Sequence, residues 1–158
     1  MLRDLIIIAI LTFLPFLELR ASIPYGIVLG YPWWVVFVVC VIINIIIAPL
    51  VYFFWNKLIH LLRWIKFIDK LYKKTITRVQ KRSRKYVEKY GELGLAIFIG
   101  IPLPGSGVWS GALAANIFGL KFRKYIVASI IGVIIAGIIV TIIMVSGTEV
   151  FGLFVKVV

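Results

Sequence analysis

At 158 residues the chain has room for one domain, and 63% of it is hydrophobic against 15% charged. A soluble domain of this size has too little interior to cover so much apolar surface, so lipid is the expected solvent. The net charge of +12 is concentrated, because 12 of the 18 Lys and Arg residues lie between Lys57 and Lys89.

The first apolar stretch covers 5–30. Its opening run from Leu5 to Leu17 resembles a secretory signal peptide, but Leu19-Arg20-Ala21 is a poor cleavage site and the segment recurs later, so it belongs to the folded protein. Pro15, Pro24 and Gly26 surround Glu18 and Arg20 and disfavour one continuous helix. The arm Leu5 to Leu17 makes only about 20 Å of helix, too short for a hydrocarbon core of about 30 Å. Stretch 33–55 is different. It gives about 34 Å of helix with Trp33, Trp34, Tyr52 and Trp55 at its ends, and reads as a transmembrane helix with an aromatic belt.

Residues 56–90 hold the basic block. Such a block can bind nucleic acid, but flanked by apolar runs it reads as a cytoplasmic loop beside anionic head groups, and no nucleic-acid partner is expected. Leu58, Leu61, Leu62, Ile65, Ile68 and Leu71 form one apolar face, as in an interfacial amphipathic helix. Stretch 93–120 repeats the first stretch: Pro102 follows Pro15 by 87 residues and Gly119 follows Gly30 by 89. Pro102, Pro104, Gly105 and Gly107 interrupt it. Stretch 123–145 is a second spanning helix, on which Ala128, Gly132 and Ala136 form a small-residue stripe for close approach by another helix, of this chain or of a homodimer partner. The tail 146–158 is apolar but holds Glu149 and Lys156, and receives no assignment.

Charge decides how 93–120 meets the membrane. A full crossing puts Lys121, Arg123 and Lys124 opposite the basic loop, whereas a segment that dips in and returns gathers 15 of the 18 basic residues on the cytoplasmic face. The expected fold is therefore an all-α integral membrane protein, a single domain over 1–158. It is an inverted repeat of two units, each a re-entrant helical hairpin plus a transmembrane helix. Both termini are then extracytoplasmic, and the plasma membrane is the expected location.

Glu18 and Arg20 carry the candidate chemistry. Ionised side chains within a membrane cost about 2.5–3.5 kcal/mol on insertion scales and persist where they line a cavity or pair with each other. Glu18 is the expected carrier of a coupling proton, and the planar fork of Arg20 suits a phosphate. A private ion pair that merely holds the hairpin tip is the structural alternative. In the second break, clustered glycines and the start of the following helix make an anion cradle, to which Ser106 and Ser110 add hydroxyls and Trp109 an amphipathic ring. A tight turn with Gly107 and Gly111 in a Gly-x-x-x-Gly contact fits the same residues equally well. Asn44 and Asn116 read as interhelical hydrogen-bonding groups. Cys40 and His60 stand alone in type, so no disulfide, metal or cofactor is expected. The lack of a nucleophile–base pair argues against an enzyme.

Two motifs carry a family resemblance. Leu14-Pro15-Phe16-Leu17-Glu18-Leu19-Arg20-Ala21-Ser22-Ile23-Pro24-Tyr25-Gly26 and Pro102-Leu103-Pro104-Gly105-Ser106-Gly107-Val108-Trp109-Ser110-Gly111 resemble the small multidrug export protein family, a distant relative of the DedA superfamily. The resemblance implies facing re-entrant loops, each followed by a spanning helix. It also implies movement of polyprenyl-phosphate carriers or other phospholipids across the bilayer, with an acidic residue and arginines involved. Glu18 matches the acidic position. The arginines of the second DedA hairpin have no counterpart between Leu93 and Leu120, which leaves Arg20 as the basic group. The expected function is a transporter or flippase of an anionic lipid, proton-coupled through Glu18, with membrane lipids as its partners. The alternatives are an exporter of amphiphilic cations and a non-transporting scaffold that organises lipids through its basic segment.

Overall fold

The computed structural model describes residues 2–15, 17–62, 89–103 and 105–155, and six helices run through them. In chain order they are α1 Leu2–Phe13, α2 Glu18–Val28, α3 Trp33–Leu62, α4 over 89–100, α5 Val108–Phe118 and α6 Phe122–Val155. Phe16, Pro104 and residues 63–88, with most of the basic segment, lie outside the described residues.

The punctuation of the sequence ends the short helices. α1 stops at Phe13, because Pro15 has no N–H and pushes the residue before it out of helical geometry. α2 and α5 end on the same left-handed turn. Gly30 (φ 84°) and Gly119 (φ 70°) take the conformation that glycine tolerates best. The N–H groups of Tyr31 and Leu120 then reach back to the carbonyls of Gly26 and Ala115. The outer ends of the first helix pair are also joined, since the Tyr31 hydroxyl donates to Asp4 Oδ2 at 3.0 Å. Desolvation, then that hydrogen bond, pushes the Tyr31 phenol above its ordinary value.

α3 and α6 are long and apolar enough to cross a membrane, over Trp33–Leu61 and Phe122–Gly147. Within an 18-residue apolar window of each, only 39% and 44% is buried against the rest of the chain, so the larger part of each window faces outward. A buried core helix has the opposite distribution. α3 is the hub and packs against α1, α2, α5 and α6, while α2 also meets α6. At one end of the bundle the Tyr52 hydroxyl donates to the Leu120 carbonyl at 3.0 Å and Phe53 stacks on Phe122 at 5.1 Å. Lys57, Lys121 and Arg123 therefore lie toward the same end.

The packing corrects several readings of single residues. Pro24 does not belong to a break, because α2 runs straight through it. Gly26 is a packing residue: a Cβ there would stand 2.6 Å from Val36 Cγ1. Gly111 likewise faces Ile99, 2.7 Å from its Cδ1. The stripe Ala128, Gly132 and Ala136 is turned inward, and at Gly132 its neighbours are Ile99 and the Ala96 carbonyl of α4 in the same chain. Asn44 and Asn116 do not reach across helices with their amide groups. They donate to the carbonyls of Cys40 and Ala112, one turn back on their own helices. α6 continues past 145 to Val155, so the stretch read as a tail begins as helix.

Candidate functional site: the junction of the two breaks

The break after α1 and the break before α5 meet in space. Leu14 and Leu17 still accept helical bonds from Glu18 and Ala21, so the chain turns tightly around Pro15. Glu18 sits there with φ 45°, a left-handed conformation that costs a non-glycine residue on the order of 1 kcal/mol. That turn aims its side chain at α5. Oε2 accepts from the Val108 N–H at 3.2 Å and Oε1 from the Trp109 N–H at 3.1 Å. Gly107, the N-cap of α5, supplies no side-chain cap of its own. The missing cap comes from a carboxylate 90 residues away in sequence.

Gly107 also provides the room. Its backbone is extended (φ −109°), which any residue adopts, but a Cβ there would overlap the Glu18 carboxylate. Glu18 is only 2% exposed, and its charge meets the positive end of the α5 dipole.

Arg20 completes the junction from the first turn of α2. Its Nη1 donates to Glu18 Oε2 at 3.0 Å. Its Nη2 is shared among the carbonyls of Ile99 (3.1 Å), Ile101 (3.2 Å) and Ser106, and the Ser106 hydroxyl (3.1 Å). These carbonyls lie at the end of α4 and in the break beyond it. One side chain thus satisfies acceptors that an apolar setting would leave unpaired, and puts a cation at the negative end of a helix. Ser106 steadies the same turn by donating to Ile101 O at 2.6 Å or Leu103 O at 2.9 Å. Arg20 Nε is buried and finds no acceptor among the described residues, which leaves one donor of the fork unused there.

A second layer fixes the acid. The Tyr125 hydroxyl, fully buried, donates to Val108 O at 3.1 Å and so holds the first turn of α5 against α6. Ser22 donates to the Glu18 carbonyl at 2.9 Å, and Thr12 and Cys40 bond to Ser22 at 2.7 and 3.2 Å. The Trp109 indole N–H donates to the Phe13 carbonyl at 3.1 Å, and its ring stands edge-on to Phe13 and Phe54.

The structure therefore brings together Glu18, Arg20, Ser106, Gly107 and Trp109. Ser110 stays apart and bonds to the Gly107 carbonyl of its own helix. Pro15, Pro102 and Gly105 lie in the breaks themselves, with Gly105 at φ 85°. Pro104 lies outside the described residues. Sequence reasoning pointed to the start of α5 as an anion cradle but missed the carbonyls of Ile99 and Ile101 and the hydroxyl of Tyr125. The backbone groups carry no residue-type signal. Tyr125 lies within the stretch read as the second spanning helix, where nothing in the sequence singles it out, and only packing makes it central.

A family model described as "Putative small multi-drug export protein" matches residues 18–139, most of the chain; the match begins at Glu18, directly after the first break, and includes the second. No similar curated protein and no similar solved structure was found.

Proposed function

The chain belongs to the small multi-drug export protein family, and from that membership we propose that it is a membrane transporter of an anionic amphiphile, a lipid phosphate, coupled to a proton on Glu18. The observation that carries this reading is the occupied anion cradle. Two N–H groups of α5, the open space at Gly107 and the Arg20 fork surround one carboxylate, and that carboxylate is tethered to the chain. Glu18 stands where a phosphate oxygen of the substrate goes. The unused Arg20 Nε supports a ligand with more acceptor oxygens than a carboxylate offers.

The cycle follows from charge. Protonation of Glu18 removes its negative charge and its claim on the α5 N-terminus and Arg20. The cradle then accepts a phosphate, and release of the phosphate accompanies return of the ionised carboxylate. Proton and anion enter together and leave together. Multi-drug export, the activity in the family's description, is the rival, read as export of amphiphilic cations. A cation would have to displace Arg20 from Glu18, yet Arg20 is also bound to carbonyls of the second break. The geometry favours the anion.

Re-entrant entry from opposite faces is part of the same reading. α1 and α5 have 12 and 11 residues, about 18 and 16 Å of helix, which is half a bilayer. The Tyr31–Asp4 bond supports a first pair that leaves by the face it entered. The neighbourhood of Lys57, Lys121 and Arg123 supports a second pair entering from the basic, cytoplasmic face. The polyprenyl phosphates implied by the DedA resemblance fall in the same substrate class.

The test is flux in proteoliposomes. A labelled long-chain lipid phosphate should cross faster with the protein than without it, faster still with an imposed proton gradient. Glu18→Gln should abolish the gradient's effect. Movement of a cationic dye with no movement of the lipid phosphate would overturn the proposal.

A further inference from the structure

We infer that the groove between α1 and α3 seats the hydrocarbon tail of the substrate while its head occupies the cradle, an inference that rests on the anion-cradle reading above. The groove has a volume of about 490 Å³. Ile6, Ile10 and Phe13 of α1 form one wall, Ile43, Ile46 and Leu50 of α3 the other, and Ala9 leaves space between them. All of these side chains are apolar, so the groove offers nothing to a head group and suits an alkyl or prenyl chain. Its walled length, Ile6 to Phe13, is about 10 Å of helix. That is only about two turns of helix, short for the seat of a docking helix from a second protein copy.

Continuity with the cradle sets this groove apart from an ordinary lipid-facing furrow. Phe13 closes its end and is the last residue of α1 before the break. The Phe13 carbonyl accepts the Trp109 indole N–H at 3.1 Å, and its ring meets the Trp109 ring edge-on at 6.1 Å. One turn beyond Leu50 on α3, Phe54 closes the other side of Trp109 at 5.9 Å. The backbone N–H of Trp109 itself binds Glu18 Oε1. A single residue therefore separates the apolar groove from the anion cradle. An amphiphile with its phosphate on Arg20 and the α5 N-terminus has its first methylenes against Trp109 and the rest along α1. Trp109 is the threshold between head and tail.

The experiment measures binding of butyl phosphate, octyl phosphate and octylammonium to the full chain in nanodiscs by titration calorimetry. Wild type is compared with Ala9→Phe, which fills the groove from its floor, and with Ile46→Trp, which fills it from the exposed wall. Each buried methylene contributes about fourfold in affinity. Octyl phosphate should therefore lose roughly tenfold or more in either filled variant, while butyl phosphate changes less than about twofold. Partition into the bilayer is common to all three proteins and cancels in the ratio. Equal octyl phosphate affinity in wild type and both filled variants overturns the tail groove and leaves the cradle standing. Octylammonium binding that is lost on filling, with no binding of either phosphate, removes the anion cradle and keeps the groove as a tail site.

Discussion

Gly105 and Gly107 stand two residues apart and are glycines for different reasons. Gly105 has φ 85° and open space where a Cβ would point, so its requirement is conformational. Gly107 is extended, and its requirement is room for the Glu18 carboxylate. The difference gives a test by double-mutant cycle. Gly107→Ala should destabilise the protein by about 1–3 kcal/mol, because the added methyl displaces a buried, hydrogen-bonded carboxylate. In a Glu18→Ala background the same methyl finds space, and most of that cost should vanish, a coupling within the usual range for contacting residues. Thermal unfolding in detergent reads both; full additivity would remove Glu18 from the N-terminus of α5. Arg20 is the other residue whose shape matters as much as its charge. Arg20→Lys keeps the cation but loses the planar fork that reaches Glu18 and the carbonyls of Ile99, Ile101 and Ser106 together. A stability loss of about 1–3 kcal/mol is expected from the carbonyls left unpaired. A loss no larger than that of an exposed Lys57→Ala control would contradict this account.

Between elements, glycines set how closely helices approach, and the neighbour decides what a methyl costs. At Gly132 a Cβ would meet the Ala96 carbonyl at 2.8 Å and Ile99 Cβ at 2.7 Å, neither of which can swing away. At Gly137 the nearest atom is the edge of the Phe37 ring, also at 2.8 Å, which can rotate. Among the described residues, Gly94 has nothing within 4 Å of where a Cβ would stand. The order of cost should be Gly132→Ala, about 1–3 kcal/mol, then Gly137→Ala, with Gly94→Ala stabilising α4 by up to about 1 kcal/mol. Unfolding midpoints of the three variants rank them directly. Much at this scale is legible in the sequence. Pro15 and Pro102 open the breaks, and Gly30 and Gly119 end the helices that follow them, because a helix terminus is decided within a few residues of itself. Pro24 misleads for the same reason. Its local rule predicts a break, but α2 sits between α1, α3 and α6, whose packing holds the helix through the missing hydrogen bond.

For the whole molecule, the arrangement of the short pairs predicts the faces from which the chain is reached. Single cysteines at Lys57 and Lys121, in a Cys40→Ala background, should react with an impermeant thiol reagent from one face of sealed vesicles. Cysteines at Arg3 and Leu29 should react from the other. Labelling of Lys57→Cys and Lys121→Cys from opposite faces would mean that the second pair crosses completely, and the proposed mid-bilayer junction would then have no second tip.

The sequence by itself determined the solvent, the helical class, the two long apolar spans and the two interrupted apolar stretches. All of these follow from composition and from proline and glycine spacing, which act over a few residues. It also singled out Glu18 and Arg20, since charge in an apolar run is conspicuous wherever it occurs. The tertiary structure decided what those charges do. A carboxylate at residue 18 caps a helix that begins at residue 108, and a guanidinium at residue 20 gathers the carbonyls at the end of α4. Unpaired N–H and C=O groups exist at every helix end, identical in every sequence, so nothing in the chain marks which distant side chain will satisfy them. Only the meeting of the two breaks selects the partner.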